Sequence, residues 1–371
     1  MAGGMDGADE KARSGTTLVT TSDDGLLARA LVWTSVFAGT WLVASILILG
    51  REVLIPIAVA VMLWLLLNGI ARLYSKLEIG GIGPPMFVCR LAAIATVVLA
   101  CWLIVDIVAR NVAEVRVAAP DYEANLRLLI DRATHLFGTV EMPTLAQLLE
   151  RINLASLITA LSGALAGLVG NAGLVALYVM FLLAEQSSFD GKMQRLFPDA
   201  AQRERVSDLL ADIERRIERY LWIKTVVSIL TAILCWGVLA YVDVDYAGFW
   251  ALTVFLLNYI PNIGSLFAVL LPSLLTVLQF ASVGLGVVVL LALTGIQFFV
   301  GNIVEPRMMG NSLNLSPLVI ILSLTLWGSI WGIAGMFLCV PMTVIMTIVL
   351  SYFELTRPLA ILLSADGRIG R

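Results

Sequence analysis

Long apolar stretches separated by short polar connections dominate the chain after about residue 30. A helix needs about 20 mostly apolar residues to cross the hydrocarbon core of a bilayer. Eight stretches fit this requirement: Ala30–Leu49, Val53–Ile70, Arg90–Ala109, Ala164–Ala184, Leu221–Tyr241, Phe249–Leu278, Gly284–Val304 and Pro317–Ser351. The pattern predicts an all-α, polytopic membrane protein with about eight hydrophobic segments. The sixth and eighth stretches are long and interrupted, so each is either a full crossing or a re-entrant segment.

Composition supports this prediction. Hydrophobic residues make up 60% of the 371 residues and charged residues only 14%, with a mean hydropathy of +0.94. Ordinary soluble domains are about 25% charged, so lipid must cover most of the outer surface. The net charge of −3 offers no basic field for nucleic acid. The four cysteines lie in or beside apolar stretches without CxxC spacing, and we predict no metal site and no cofactor.

Polar and amphipathic segments divide the apolar stretches into regions. The amphipathic segment that ends at Arg219 is expected to run directly into the fifth span, and the apolar face of the region after the third span must pack on the membrane surface, the bundle or another subunit. The predicted regions are a disordered tail (1–29), spans 1–3 (30–110), amphipathic extramembrane helices (111–163), span 4 (164–185), a cytoplasmic amphipathic helix (186–220), spans 5–8 with re-entrant or broken segments forming the transport region (221–353) and a cytoplasmic tail (354–371).

The distribution of Lys and Arg predicts the orientation. With the N-terminus inside the cell, most of these residues fall in the inner connections, as the positive-inside rule requires. Lys224 is counted among these connecting cations. Both termini are therefore expected to be cytoplasmic.

The first break in an apolar stretch is the sequence from Asn258 to Ser265. Pro261 removes a backbone donor, and Gly264 permits a turn or a close approach. Unpaired polar groups are costly in hydrocarbon, and transporters build binding sites from such breaks. The candidate pathway residues are Asn258, Pro261, Asn262 and Gly264. The alternative is a kinked helix with a structural proline.

The second break lies between the seventh and eighth stretches. Glu305 and Arg307 are two residues apart, with Pro306 between them, so they are expected to contact different partners. A titratable carboxylate suits proton or cation coupling, and a guanidinium can hold an anionic group. The alternative is a polar loop at the membrane surface. The candidate pathway residues are Gln297, Asn302, Glu305, Pro306, Arg307, Gly310, Asn314 and Pro317.

A third glycine-rich segment lies inside the eighth stretch, from Trp327 to Gly335. Its glycines permit either a close helix approach or another break, and its tryptophans are also typical of a membrane interface. The spacing of Gly332, Gly335 and Pro341 loosely resembles that of proline and glycine in the first break. This similarity suggests an internal repeat.

Motifs of catalytic chemistry are absent from the sequence. No lysine lies in a GxxxxGK[ST] phosphate-binding loop, so ATP hydrolysis is not expected. His135 is the only histidine, and neither HExxH nor GxSxG occurs. The chain is therefore not expected to be an enzyme.

The segment Asn302–Ile345, NIVEPRMMGNSLNLSPLVIILSLTLWGSIWGIAGMFLCVPMTVI, resembles the signature of the autoinducer-2 exporter family of bacterial transporters. Tyr259–Gly264 resembles that family's other conserved turn, and the likeness extends over the chain from about Ala30. The resemblance implies a secondary transporter in the bacterial inner membrane that is a homo-oligomer, with a pentamer the expected form.

Two transport functions follow from this resemblance, and the sequence does not separate them. A neutral solute such as the quorum-sensing signal autoinducer-2 would use the amides of the two breaks. A Na⁺(Li⁺)/H⁺ antiporter would use Glu305 as its titrating carboxylate. The substrate is thus either a small molecule or a cation, moved without ATP hydrolysis. The alternative to both transport functions is a membrane scaffold that transports nothing.

Overall fold

The computed structural model describes residues 21–77, 84–137, 172–310 and 313–367. All regular secondary structure in these residues is helical, as the sequence predicts. The helices are α1 (Thr21–Leu49), α2 (Arg51–Ser75), α3 (Met86–Phe137), α4 (Ala172–Glu185), α5 (Phe189–Leu196), α6 (Ala200–Tyr241), α7 (Ala247–Leu257), α8 (Ile263–Phe280), α9 (Val283–Phe299), a π-helical turn (Val300–Val304), α10 (Glu305–Met309), α11 (Pro317–Tyr352) and α12 (Arg357–Leu363).

The chain divides into two units, Met1–Leu54 and Ile55–Arg371. In the first unit, α1 begins at Thr21, inside the segment predicted to be a disordered tail. Residues 21–29 are therefore helical in the structure, and Leu26, Leu27 and Ala28 in this stretch are good helix formers. Apolar side chains of α1, including Phe37 and Trp41, are exposed in a manner suited to lipid.

Six helices of the described residues are long and apolar enough to cross a membrane. They are α2, the Met86–Asn111 part of α3, α6, α8, the Val283–Met309 segment and α11. Helices α4 and α5, bent by 69° relative to each other, form a seventh candidate. The predicted count of eight is therefore approximate. It counted every apolar stretch as a span, whereas Thr34–Leu49 and α7 are shorter apolar helices.

Two helices combine apolar and amphipathic segments without interruption. Helix α6 begins after Asp199, whose side chain accepts a hydrogen bond from the Ala201 amide, and continues through the fifth apolar stretch, as predicted. Helix α3 likewise extends past the third apolar stretch to Phe137. Its extension was expected to be a separate helix. Residues 138–171, which include the remainder of that amphipathic region and the start of the predicted fourth span, lie outside the described residues.

The sixth apolar stretch folds back on itself as a hairpin of α7 and α8, called here the first hairpin. At its open end, the Gln279 side chain accepts a hydrogen bond from the Asp245 amide and donates one to the Asp243 carbonyl. At its tip, Gly264 lies so close to Leu257 that no side chain fits between them. Of the two alternatives left by the sequence, the structure has the fold-back.

The second hairpin is formed by the two halves of α11. The hydroxyls of Ser323 and Thr343 are hydrogen bonded at 2.7 Å. In a continuous helix, residues 20 apart would be separated by about 30 Å. Gly332 has a φ of 62° and reverses the chain direction, and Gly335 lies against the Trp327 carbonyl as closely as Gly264 lies against Leu257. The eighth stretch is therefore also a hairpin, with a close glycine contact near its tip like that of the first hairpin.

The two hairpins lie along α6 in opposite directions. Tyr259, at the tip of the first hairpin, stacks on Phe337 of the second, with ring centroids 4.7 Å apart. The open end of the first hairpin contacts the loop after Tyr241, at the C-terminal end of α6. The open end of the second hairpin, at Tyr352, lies near Asp208 in the N-terminal part of α6. Two segments that enter from opposite ends and meet in the middle are a recurring design of secondary transporters.

The extension of α3 holds the open end of the first hairpin. The buried Tyr122 hydroxyl donates a hydrogen bond to Asp245 at 2.7 Å, and the Asn125 amide donates to the Gln279 carbonyl at 2.9 Å. Burial, followed by hydrogen bonds to Tyr246 and Asp245, raises the pKa of Tyr122 above its ordinary value. Of the three packing partners considered for the amphipathic region, its described part uses the bundle.

Candidate functional site

A cavity of about 640 Å³ lies where the tip of the first hairpin meets α6, α9, the π-helical turn and α11. Its wall includes three amide side chains from two separate breaks, Asn258, Asn262 and Asn302, together with Gln297. The rest of the wall is mostly aliphatic, with Leu270 and Leu290 among the residues. Small-molecule sites typically have this composition, a largely apolar wall with a few oriented polar groups.

The chain reversal at the first hairpin brings polar groups to the cavity. Pro261 follows a helix end at Leu257, and Asn262 has a φ of 59°, a left-handed conformation that turns the chain toward α8. The Asn258 amide donates a hydrogen bond to Ser228 of α6 at 3.0 Å, and the Tyr259 and Thr225 hydroxyls are hydrogen bonded at 2.7 Å. These bonds fix the tip to α6, so the polar end of the hairpin is held in place.

Gln297 offers a donor without a protein partner. Its Nε2 atom is buried and makes no hydrogen bond with any described residue. A buried amide donor without a partner costs about 1–3 kcal/mol. Gln297 belongs to the cavity wall, so rotation of its amide toward the cavity would let a solute oxygen accept this hydrogen bond and relieve the cost.

The π-helical turn Val300–Val304 precedes Glu305 and sets its direction. Such single turns occur often at functional sites, because the extra residue displaces the side chains that follow. The Lys224 ammonium of α6 donates a hydrogen bond to Glu305 Oε1 at 2.7 Å. Lys224 is 8% exposed and Glu305 is 20% exposed. Among the described residues, they are the only two charged side chains that line the cavity.

Lys224 corrects the orientation analysis, which counted it as a cation in a connecting loop. It lies inside α6 and is buried against the cavity. The local sequence hides this role, because Lys224 sits at the boundary between the amphipathic and apolar parts of one helix and its partner is 81 positions away. Glu305 is hydrogen bonded to Lys224. Arg307 is exposed and lines neither cavity described for this part of the chain.

The predicted site residues separate into three groups in the structure. Asn258, Pro261, Asn262, Gln297, Asn302 and Glu305 line the cavity. Pro306, Gly310 and Asn314 line a smaller neighbouring cavity of about 390 Å³, whose wall also includes Glu305. Gly264, Arg307 and Pro317 line neither: Gly264 packs against Leu257, Arg307 is exposed, and Pro317 is the first residue of α11.

The segment after α12 closes the smaller cavity. Ser364 pairs with Leu315 in an isolated antiparallel bridge, and the Ala365 amide donates a hydrogen bond to the Asn314 carbonyl at 3.2 Å. Ala365 and Asp366 are part of the cavity wall. This segment belongs to the predicted cytoplasmic tail, and the sequence pattern gives no indication that it lies beside the site. Within the described residues, no group of three or more His, Cys, Asp or Glu side chains could hold a metal ion.

Comparisons with known proteins agree with this architecture. Residues 32–354 match the sequence model of a family described as AI-2E family transporter. The chain is 31% identical over 322 residues to the AI-2 transport protein TqsA of Escherichia coli K12, covering 85% of this chain and 90% of that protein. It is 30% identical over 325 residues to a Haemophilus influenzae protein whose name assigns it to transport without a substrate, covering 85% of this chain and 91% of that protein.

The hairpins, the cavity between them and the sequence matches lead to one assignment. The match to the family extends over both hairpins and all the candidate spans. The chain is a multi-pass membrane protein and belongs to the AI-2E family of transporters.

Proposed function

We propose that this protein is a secondary active transporter that exports a small polar solute of no net charge across the bacterial inner membrane. The solute occupies the cavity at the tip of the first hairpin and is bound by the amide side chains of the cavity wall. The single observation that carries the proposal is the buried Nε2 donor of Gln297, which lines that cavity and has no partner among the described residues.

The electrostatics of the cavity support an uncharged solute. Glu305 and Lys224 compensate each other at 2.7 Å, so the described residues of the wall carry no uncompensated formal charge. The groups left for a solute are amides and hydroxyls, which bind carbonyls, hydroxyls and ether oxygens. Because the similar E. coli protein is named as an AI-2 transport protein, autoinducer-2 is the first solute to test.

Alternating access is the proposed mechanism. The hairpins enter from opposite ends of α6. The tip of the first hairpin lines the cavity, and the second hairpin contributes Ile320 and Val340 to its wall. Tyr259 and Phe337 make the contact between the two hairpins. Movement of either tip would open the cavity to one side while the other stays closed. Both termini are proposed to be cytoplasmic. The assembly is proposed to be a homopentamer, and native mass spectrometry of the purified protein would test this number of subunits.

A second candidate function is Na⁺(Li⁺)/H⁺ antiport. It is favoured by one observation: among the described residues, Glu305 is the only carboxylate in the wall of the larger cavity. A cation or proton that binds Glu305 would have to replace the Lys224 ammonium. This competition disfavours the antiporter relative to the solute transporter.

Reconstituted transport tests the proposal. Purified protein in liposomes is given labelled autoinducer-2 under an imposed pH gradient and then a sodium gradient, and solute and cation movements are measured separately. Saturable solute flux with counterflow is expected. Gln297→Ala should weaken apparent solute affinity by roughly 2- to 10-fold, because it removes one hydrogen bond.

Gln202→Ala is the matched control, since this glutamine is exposed in α6 and lines neither cavity. It should transport like the wild type. Gradient-linked cation exchange without solute flux would replace the proposal with the antiporter. Flux that does not saturate would indicate a channel, and the absence of any flux across a panel of small polar solutes and cations would favour the scaffold.

A further inference from the structure

The ion pair in the cavity joins two elements that are far apart in the sequence. Lys224 comes from the middle of α6, and Glu305 comes from the first residue of α10, after the π-helical turn. Their N–O distance is 2.7 Å, and both side chains are largely removed from solvent. Each charge therefore has the other as its principal neutralising partner.

Other ionisable groups near the pair do not replace either charge. Tyr220 and Tyr259 approach it from α6 and from the first hairpin, and Cys339 approaches from the second hairpin. These three are uncharged near neutral pH. Asp366 lines the smaller cavity together with Glu305, and it would add negative charge rather than compensate Glu305.

We propose that Lys224 and Glu305 act as a charge filter, which keeps the cavity neutral and sets its selectivity against ions. This inference rests on the proposed function, in which the cavity carries the solute. The Lys224 ammonium occupies the position that a free cation would take at Glu305, and Glu305 occupies the position of an anion at Lys224. A small cation or anion consequently finds no uncompensated charge there.

Removing the charge of Lys224 and removing the charge of Glu305 should have opposite effects on ion binding. Lys224→Gln leaves an unpaired carboxylate in a poorly solvated cavity, which should bind a small cation. Glu305→Gln leaves an unpaired ammonium, which should bind a small anion. The double variant Lys224→Gln/Glu305→Gln has no charge in the wall and should bind neither, although it lacks both native side chains.

The experiment measures equilibrium binding of radioactive sodium and radioactive chloride to the detergent-purified full chain. Lys224→Gln is expected to increase sodium binding affinity at least about tenfold over the wild type, and Glu305→Gln to increase chloride affinity similarly. The wild type and the double variant should bind neither ion above background. Arg307→Gln is the matched control, because it removes a charge two residues from Glu305 but outside both cavities.

Three results would overturn the charge filter. The first is sodium binding by the wild type that Lys224→Gln does not increase, and the second is ion binding by the double variant. The third is an ion affinity of Arg307→Gln equal to that of Lys224→Gln or Glu305→Gln. If Lys224→Gln fails to fold, the chloride measurement on Glu305→Gln decides the matter. Ion binding is measured without solute flux, so a failure of the charge filter is distinct from a failure of solute transport in liposomes.

Discussion

Replacing Gly264 with alanine tests the first hairpin at its tightest point. An added Cβ atom would lie 1.7 Å from the Leu257 carbonyl oxygen, whereas real Cβ atoms essentially never come within 3.0 Å of another heavy atom. The obstructing atom belongs to the backbone, so no side-chain rotation can relieve the clash. The tip must open by roughly 1.3 Å for the methyl group to fit.

The energetic consequence should be large. Overpacking a well-packed interior typically costs 1–3 kcal/mol, and here two backbones have to separate. We therefore expect Gly264→Ala to lose about 3 kcal/mol or more of stability. The same reasoning applies to Gly335→Ala in the second hairpin, where the added Cβ would lie 1.9 Å from the Trp327 carbonyl oxygen. If the hairpins are structural counterparts, both variants should suffer alike.

Thermal unfolding of the purified protein in detergent, followed by tryptophan fluorescence, measures the effect. Both variants should melt about 5 °C or more below the wild type. Solute flux in liposomes should fall in Gly264→Ala, because the tip of the first hairpin lines the cavity. Gly295→Ala in α9 is the matched control: no heavy atom lies within 4 Å of its added Cβ. Its stability should stay equal or rise by about 0.5–1 kcal/mol through helix propensity.

A normal melting temperature for Gly264→Ala would refute the close approach of α7 and α8. A loss in Gly295→Ala equal to that in Gly264→Ala would refute the steric explanation, since a methyl group anywhere would then be harmful. A loss in only one of the two hairpin variants would refute their structural equivalence.

Two further perturbations test ionic and polar contacts. Lys224→Met or Glu305→Gln alone should lower the free energy of unfolding by about 3 kcal/mol, because each leaves a buried charge unpaired, while the double variant should be about as stable as the wild type. A double-mutant cycle by thermal unfolding measures the interaction between the two side chains. Single-variant losses that add up to the loss of the double variant within about 0.5 kcal/mol would contradict this interaction. Tyr122→Phe should cost about 1.5–3 kcal/mol by removing the bond to Asp245. Burial raises the pKa of Tyr122 in the folded protein, so the unfolded chain loses this proton first, and wild-type stability should fall as pH rises above about 10. The Phe variant should lack that part of the decline, and identical melting curves against pH would count against the assignment.

Much of the architecture follows from local sequence. The long apolar stretches require helices, because backbone groups in hydrocarbon must be satisfied within the segment. Pro261 marks the first break, since it lacks a backbone donor and disfavours helix in the preceding residue. The amphipathic periodicity before Leu221 joins the fifth stretch without a breaker, so one continuous helix was predictable. Six of the site residues predicted from the two breaks line one cavity.

Tertiary structure decided the rest. A break shows where a helix ends but not where the chain goes next; the left-handed φ values of Asn262 and Gly332, together with close glycine contacts, produce the two fold-backs. Lys224 looked like a boundary cation, because periodicity describes one helix at a time and its partner Glu305 belongs to another. The charge balance of the cavity therefore depends on packing between distant segments, which no local pattern encodes.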